Sequence, residues 1–390
     1  MSAMRVSVVV SLLALGASIA WWVMREDERV PINEAVSGPP VIERGERESA
    51  ANVESANAGD PWAVKNKRAI RHLKAGELSA AVALFSECVV GDPTELVFRA
   101  NLAEALARLA QEEYEAVETR ALAIEHLTQA VELAPEREEL AKLLKRWLAA
   151  EEVEGDFWTD SSLHFRLSYD GDREELLGGG YDLVLKTLED AYSEYAVLFG
   201  VRPAEGEEGP IEVVLLQREE FNGLTGLGHW AGGAYDGRIR IPITDLASEE
   251  RRLVSVLRHE LVHAFIRSAG GRGVVGWLNE GLAEWLEEPA GAARDRAVKR
   301  SRERAAKAGL RSLDELGGSL AALGSVEEIR GAYSQSLALI AWIAHWYGER
   351  VLFEMVAGCR EGTSVEQSFE AQTRVQLAQA LKDLELDLSR

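Results

Sequence analysis

The chain has 390 residues, 47% hydrophobic and 28% charged, so it can bury large cores and is not a wholly disordered polymer. Lys and Arg total 43 against 65 Asp and Glu, a formal net charge of −22; no nucleic-acid partner is expected, because phosphate attraction needs a basic surface. Two cysteines, Cys88 and Cys359, exclude a disulfide-dense scaffold and a cysteine-rich metal site, and both are expected as buried thiols.

Residues 6–24 read VSVVVSLLALGASIAWWVM, with no ionisable side chain. At 1.5 Å per residue this run reaches about 28 Å, close to the thickness of a bilayer core. Residues 1–24 therefore form a signal anchor or a signal peptide. A weak small-x-small site at Ser18-Ile19-Ala20 fits cleavage, and continuation of the apolar run through Trp21 and Trp22 fits an anchor better. Arg5 precedes the run and Glu26, Asp27 and Glu28 follow it, which places the bulk of the chain outside the cytoplasm, periplasmic or at the cell surface. Cleavage would make it a secreted protein. Residues 25–61 carry Pro31, Gly38, Pro39, Pro40, Gly59 and Pro61 with no apolar period, and read as a disordered linker.

Residues 62–154 are rich in Ala, Leu and Glu with helical spacing. Ala81, Phe85, Cys88 and Pro93 recur as Ala123, Leu127, Ala130 and Pro135, each 42 residues on. Small residues allow close helix approach, the large one fills the gap and Pro ends the turn. The spacing resembles the second helix of a tetratricopeptide repeat, whose period of about 34 residues is shorter, so a longer helix or loop is expected near 111–120. Such an array implies packing or a protein partner rather than chemistry.

Residues 155–390 form a second domain. Residues 163–169 alternate like a strand, 181–199 have a broad apolar helical side and 211–216 read as a buried strand. A glycine-rich loop spans 223–237. Residues 238–243 alternate but contain Pro242, which predicts an edge strand. From Ser248, a plausible N-cap, the chain is mostly helical. Strands precede helices without regular alternation, so the fold class is α+β, with all-α repeat-like helices in front.

The helix from Ser248 holds His259-Glu260-Leu261-Val262-His263. Positions i and i+4 differ by about 40°, so both imidazoles leave one face and reach one ion; two His suit zinc. Glu260 is offset by about 100° and can stay outside the coordination shell to take a proton from an attacking water. A second helix begins with Trp277-Leu278-Asn279-Glu280-Gly281. Glu280 supplies a third metal ligand, leaving one position open. Glu284, one turn on, is placed to hydrogen-bond a ligand imidazole, His259, and Gly281 to let this helix lie close to the first.

These motifs resemble the gluzincin metallopeptidases, the thermolysin-like and M1-like group called peptidase MA, over about 211–348. The resemblance implies a zincin-like catalytic domain: a small mixed sheet with an edge strand, two zinc-site helices and a C-terminal helical part. It implies a Zn2+ cofactor on His259, His263 and Glu280, Glu260 as general base and a peptide or protein substrate. Tyr333, in a Tyr-Ser-Gln-Ser segment similar to the family's Tyr-x-Lys-Gly, would support an oxyanion, with Gln335 and Ser336 departing from the pattern. The family's substrate-binding strand falls on Gly233, Ala234 and Tyr235, with His229 nearby as a candidate oxyanion donor; the Gly-x-Met-Glu-Asn motif of aminopeptidases is missing. His345, among Trp342, Trp346 and Tyr347, is expected in the core, and the basic run 294–311 as a solvated helix. The alternative is an inactive scaffold that binds an envelope partner through its helical repeats.

Overall fold

The computed structural model describes residues 61–115, 117–171, 180–205, 209–225, 232–243 and 246–389. The expected anchor, most of the expected linker and His229 lie outside the described residues. No helix among the described residues is long and apolar enough to cross a membrane.

Five antiparallel-stacked helices come first: α1 (Pro61–Ala75), α2 (Leu78–Gly91), α3 (Leu96–Glu113), α4 (Arg120–Leu133) and α5 (Glu138–Glu154). Ala81, Phe85, Cys88, Ala123, Leu127 and Ala130, the repeated positions, are all fully buried on α2 and α4. The extra length expected near 111–120 is an 18-residue α3 followed by a short 3-10 turn, Val117–Thr119. Cys88 is buried, whereas Cys359 is only half-buried.

The second part is α+β. Its strands are β1 (Trp158–Ser161), β2 (Phe165–Tyr169), β3 (Ile211–Gln217), β4 (Ala234–Tyr235) and β5 (Ile239–Ile243). Between them run α6 (Tyr181–Phe199) and α7 (Arg218–Thr225). The sheet order is β1-β2-β3-β5-β4, with β2, β3 and β5 parallel and the two outer strands antiparallel. The alternation at 238–243 thus produces an interior strand rather than the expected edge. β4 pairs only with Ile239 and Arg240, so β5 has a neighbour on one side only by the time it reaches Pro242, and a residue without an N–H is tolerated there. The true edge is β4, inside the segment read as a glycine-rich loop.

The pleat gives the sheet two different faces. Val213, Leu215, Ile239 and Ile241 join the main core, packed under α6 and the long helix α8 (Leu246–Gly270). Val214, Leu216 and Ala234 face the other way, onto Phe221 of α7 and Val153. α8 starts two residues before the expected N-cap. After it come α9 (Gly276–Glu287), α10 (Ala292–Ala308), α11 (Val326–Tyr347), α12 (Arg350–Arg360), α13 (Val365–Thr373) and α14 (Leu377–Leu388). α10 is not solvated on every side: Arg294, Ser301 and Ala305 are buried. His345 is exposed beside Trp346 rather than in the core, because the buried face of α11 at that end is carried by Trp342 and Ile343.

Candidate metal centre

α8 reaches the site through an apolar stripe, Leu253, Val256, Leu257, Leu261 and Phe265, that fixes its rotation against the sheet. That rotation turns His259 and His263 toward α9. The start of α9 is held from elsewhere in the chain. Gly276 N–H donates to Gly317 O and Trp277 N–H to Leu316 O, each at 2.9 Å, so two orphan helix amides are satisfied by backbone. A side chain at Gly276 would collide with the carbonyl of Gly318. The far end of α9 is fastened to α8 and α6. Arg258 donates from Nε to Glu287 O at 3.1 Å and from Nη2 to Leu286 O at 3.0 Å, a cation on a helix C-terminus. Tyr195 O–H donates to the same Leu286 carbonyl at 2.8 Å.

Between these two anchors α9 presents Glu280 to the imidazole pair. Its Oε2 lies 3.7 Å from His259 Nε2 and 3.8 Å from His263 Nε2. The ligand atoms of the three residues are all within 4.8 Å of one another. Those separations are too long for hydrogen bonds but suit donors sharing one ion, which at bond lengths near 2 Å stand about 3.5 Å apart. Exposure of the three is 0%, 2% and 4% for His259, His263 and Glu280. His259 Nε2 and Glu280 Oε2 are buried without a hydrogen-bond partner. Such orphaned atoms are costly in a fold unless something else binds them. The buried His259-His263-Glu280 group could therefore hold a metal ion, and two nitrogens with one carboxylate oxygen suit a borderline divalent cation.

The outer ring nitrogens are oriented by α9. His263 Nδ1 stands 3.1 Å from Asn279 Oδ1, and His259 Nδ1 is 3.2 Å from Glu287 Oε2. Glu284, the residue expected at His259, is not the one that bonds it. It sits half-buried beside Glu287, with its ligand oxygen inside the same 4.8 Å group as His259. Glu287 lies two turns after Glu280 on the same side of the helix, which brings it level with the earlier His of α8. Burial, then repulsion from Glu287, raises the Glu284 carboxyl pKa to about 8. Burial lowers the His263 pKa to about 4, leaving a neutral imidazole. For His259, burial is outweighed by Glu280 and Glu287, with Glu260 adding, and its pKa is raised well above the ordinary value. This is a pocket that draws positive charge.

Glu260 is fully buried on the side of α8 facing the edge strand. A Cβ built on Gly233 would come 2.6 Å from Glu260 Oε1, so only glycine lets the backbone pass this close. Tyr235 packs on the same sheet face, while Ala234 faces away. Of the three residues expected to bind substrate, Gly233 is thus brought against the carboxylate expected to act as base, with Tyr235 on the same sheet face and Ala234 on the other.

Gly281 serves a different neighbour from the one expected. A Cβ there would meet Ile340 at 2.7 Å and the Ser336 carbonyl at 2.9 Å, so it admits α11 rather than α8. Tyr333 is buried on α11, one turn before Ser336. Gln335 and Ser336 have structural uses: Gln335 both donates to and accepts from the Arg311 backbone at 2.8 Å, and Ser336 keeps the helix crossing tight. Asn279 and Glu287 were missed by the sequence reading. Asn279 directly precedes the third ligand, and Glu287 shares its helical side, so both carried a positional signal.

No protein-family model and no curated protein matches this chain, so the geometry above is what bears on function.

Proposed function

We propose that this protein is a zinc-dependent peptidase, held outside the cytoplasmic membrane by residues 6–24, with a gluzincin-like catalytic domain preceded by tetratricopeptide-like helices. The observation that carries it is the convergence of His259, His263 and Glu280 from two separately anchored helices, with Glu260 turned to an edge strand instead of to the ligands. Bound by this set, zinc would supply Lewis acidity toward a water and a carbonyl at the position left open.

The remaining work belongs to the chain. β4, the outermost strand of the sheet on this side, pairs with an extended peptide by strand addition and lays its backbone beside Glu260. Glu260 accepts the proton of the attacking water and returns it to the departing amine. Asn279 and Glu287 orient the two imidazoles through their Nδ1 atoms, so that both Nε2 atoms face Glu280. Tyr333 is assigned the support of the developing oxyanion, and Arg258 and Tyr195 keep α9 from sliding.

The test is Glu260→Gln. Metal content should stay at that of the parent, measured by elemental analysis, while peptide cleavage falls roughly 10²–10⁴-fold. Cleavage at the parental rate would remove Glu260 from the chemistry. A parent protein that takes up no stoichiometric zinc would instead favour an inactive scaffold that binds partners through its helices.

A further inference from the structure

Every second residue of a β-strand points to the same side, and a peptide added to β4 inherits that alternation. On one side of the sheet it passes Glu260. On the other it meets the space between β4 and α5. That space is a cleft of about 490 Å³, part of it open solvent, bordered by Tyr114, Arg146, Trp147, Ala234, Asp236 and Arg240.

Tyr114 and Trp147, which border the cleft, stack on each other with centroids 3.8 Å apart and are almost wholly buried, so they give it a rigid floor. Its charges are unequally placed. Arg240 is paired with Asp236 and also with Glu154 at 3.4 Å. Arg146, half-buried on α5, makes no hydrogen bond or ion pair among the described residues. Burial lowers its pKa, the mark of a guanidinium that has given up water, and the only opposing charge it feels is the already engaged Asp236. A partly desolvated guanidinium without a partner among the described residues, lining the same cleft as Ala234 of β4, suits a planar carboxylate.

We infer that the cleft between α5 and β4 is a subsite for an acidic side chain of the peptide, recognised by Arg146, so that the helical layer helps select the substrate. This rests on the peptidase reading above. An acidic side chain, rather than a chain terminus, follows from a peptide that continues along β4 past the cleft.

The experiment uses the full-length, zinc-loaded protein and a degenerate peptide library. Cleaved products should show Asp or Glu favoured roughly tenfold over Asn or Gln at one position, the worth of one charge-assisted hydrogen bond. Arg146→Gln should flatten that preference, and Arg146→Glu should turn it toward Lys and Arg, which loss of structure would not do. In parallel, Glu260→Gln protein is titrated with peptide pairs differing by one Glu/Gln exchange, each with a free and an amidated C-terminus. Cleavage with no acidic preference, or with a preference that Arg146→Glu leaves intact, overturns the subsite and spares the peptidase. Discriminating binding without any cleavage by the parent sinks the peptidase and supports the cleft. A preference abolished by amidation overturns the side-chain assignment, and absence of both cleavage and binding overturns both proposals.

Discussion

Two buried polar clusters lie on opposite faces of the same small sheet, and they are finished differently. On the face toward the helical layer, Arg238 pairs with Glu154 and donates to the Tyr114 hydroxyl at 2.9 Å, while Arg240 pairs with Asp236 and Glu154. Arg120 reaches Glu212 at 3.5 Å nearby. Arg238 Nε and Arg120 Nε are buried there without a hydrogen-bond partner. On the face toward α8, His259 Nε2, Glu280 Oε2 and Glu284 Oε1 are all buried without one. Burial of charge is common to both clusters. What separates the first, a fastening, from the second is which atoms are left over: on one face single nitrogens of guanidinium groups that are otherwise paired, on the other lone-pair donors of His259 and Glu280 that converge with His263 within 4.8 Å.

The contrast can be broken experimentally. The largest effect is expected at the fastening. Glu154→Ala leaves Arg238 and Arg240 short of a carboxylate in a place 1% and 3% exposed, and should cost about 3 kcal/mol in urea unfolding. Loss below about 0.5 kcal/mol would mean the helical layer is not held by this cluster. Next, Glu287→Gln should weaken zinc affinity about 10–100-fold in chelator competition, with Glu284→Gln affecting it less. The reverse order would return Glu284 to the place first expected for it. The smallest effect is acid sensitivity. Burial opposes ionisation of Asp236, but Arg240 and Arg238 more than offset it, and its pKa is lowered. Its contribution is therefore present above the unfolded value of about 3.9 and is lost as pH falls through the folded value. Urea midpoints below about pH 4 should fall less steeply for Asp236→Asn than for the parent.

Local periodicity recovered much of this molecule. The helix expected over 181–199 and the strand expected over 211–216 stand almost where the pattern put them, because each buries a continuous apolar face. The His pair was legible because helical spacing sets which side chains share a side, and Glu280, on another helix, because a zinc site wants a third ligand and its motif resembles the gluzincin one. What failed was pairing. Nothing local says that β4 is two residues long, and on that length depends whether β5 reads as edge or interior. β1, with mostly exposed residues, has no apolar rhythm to detect. Gly281 was correctly seen as a point of close approach, yet which helix approaches is a long-range fact. The same is true of Glu287, whose role depends on how far α9 slides along α8.

The seat of α9 has a consequence for synthesis. Its first amides rest on the carbonyls of Leu316 and Gly317, some forty residues downstream, and its midpoint rests on α11. A ribosome therefore delivers both imidazoles and the carboxylate well before the backbone that brings them into register. A nascent or truncated chain ending near residue 315 would own all three donors of the candidate metal centre without the backbone that seats α9, so metal uptake should await the closing of the C-terminal helices.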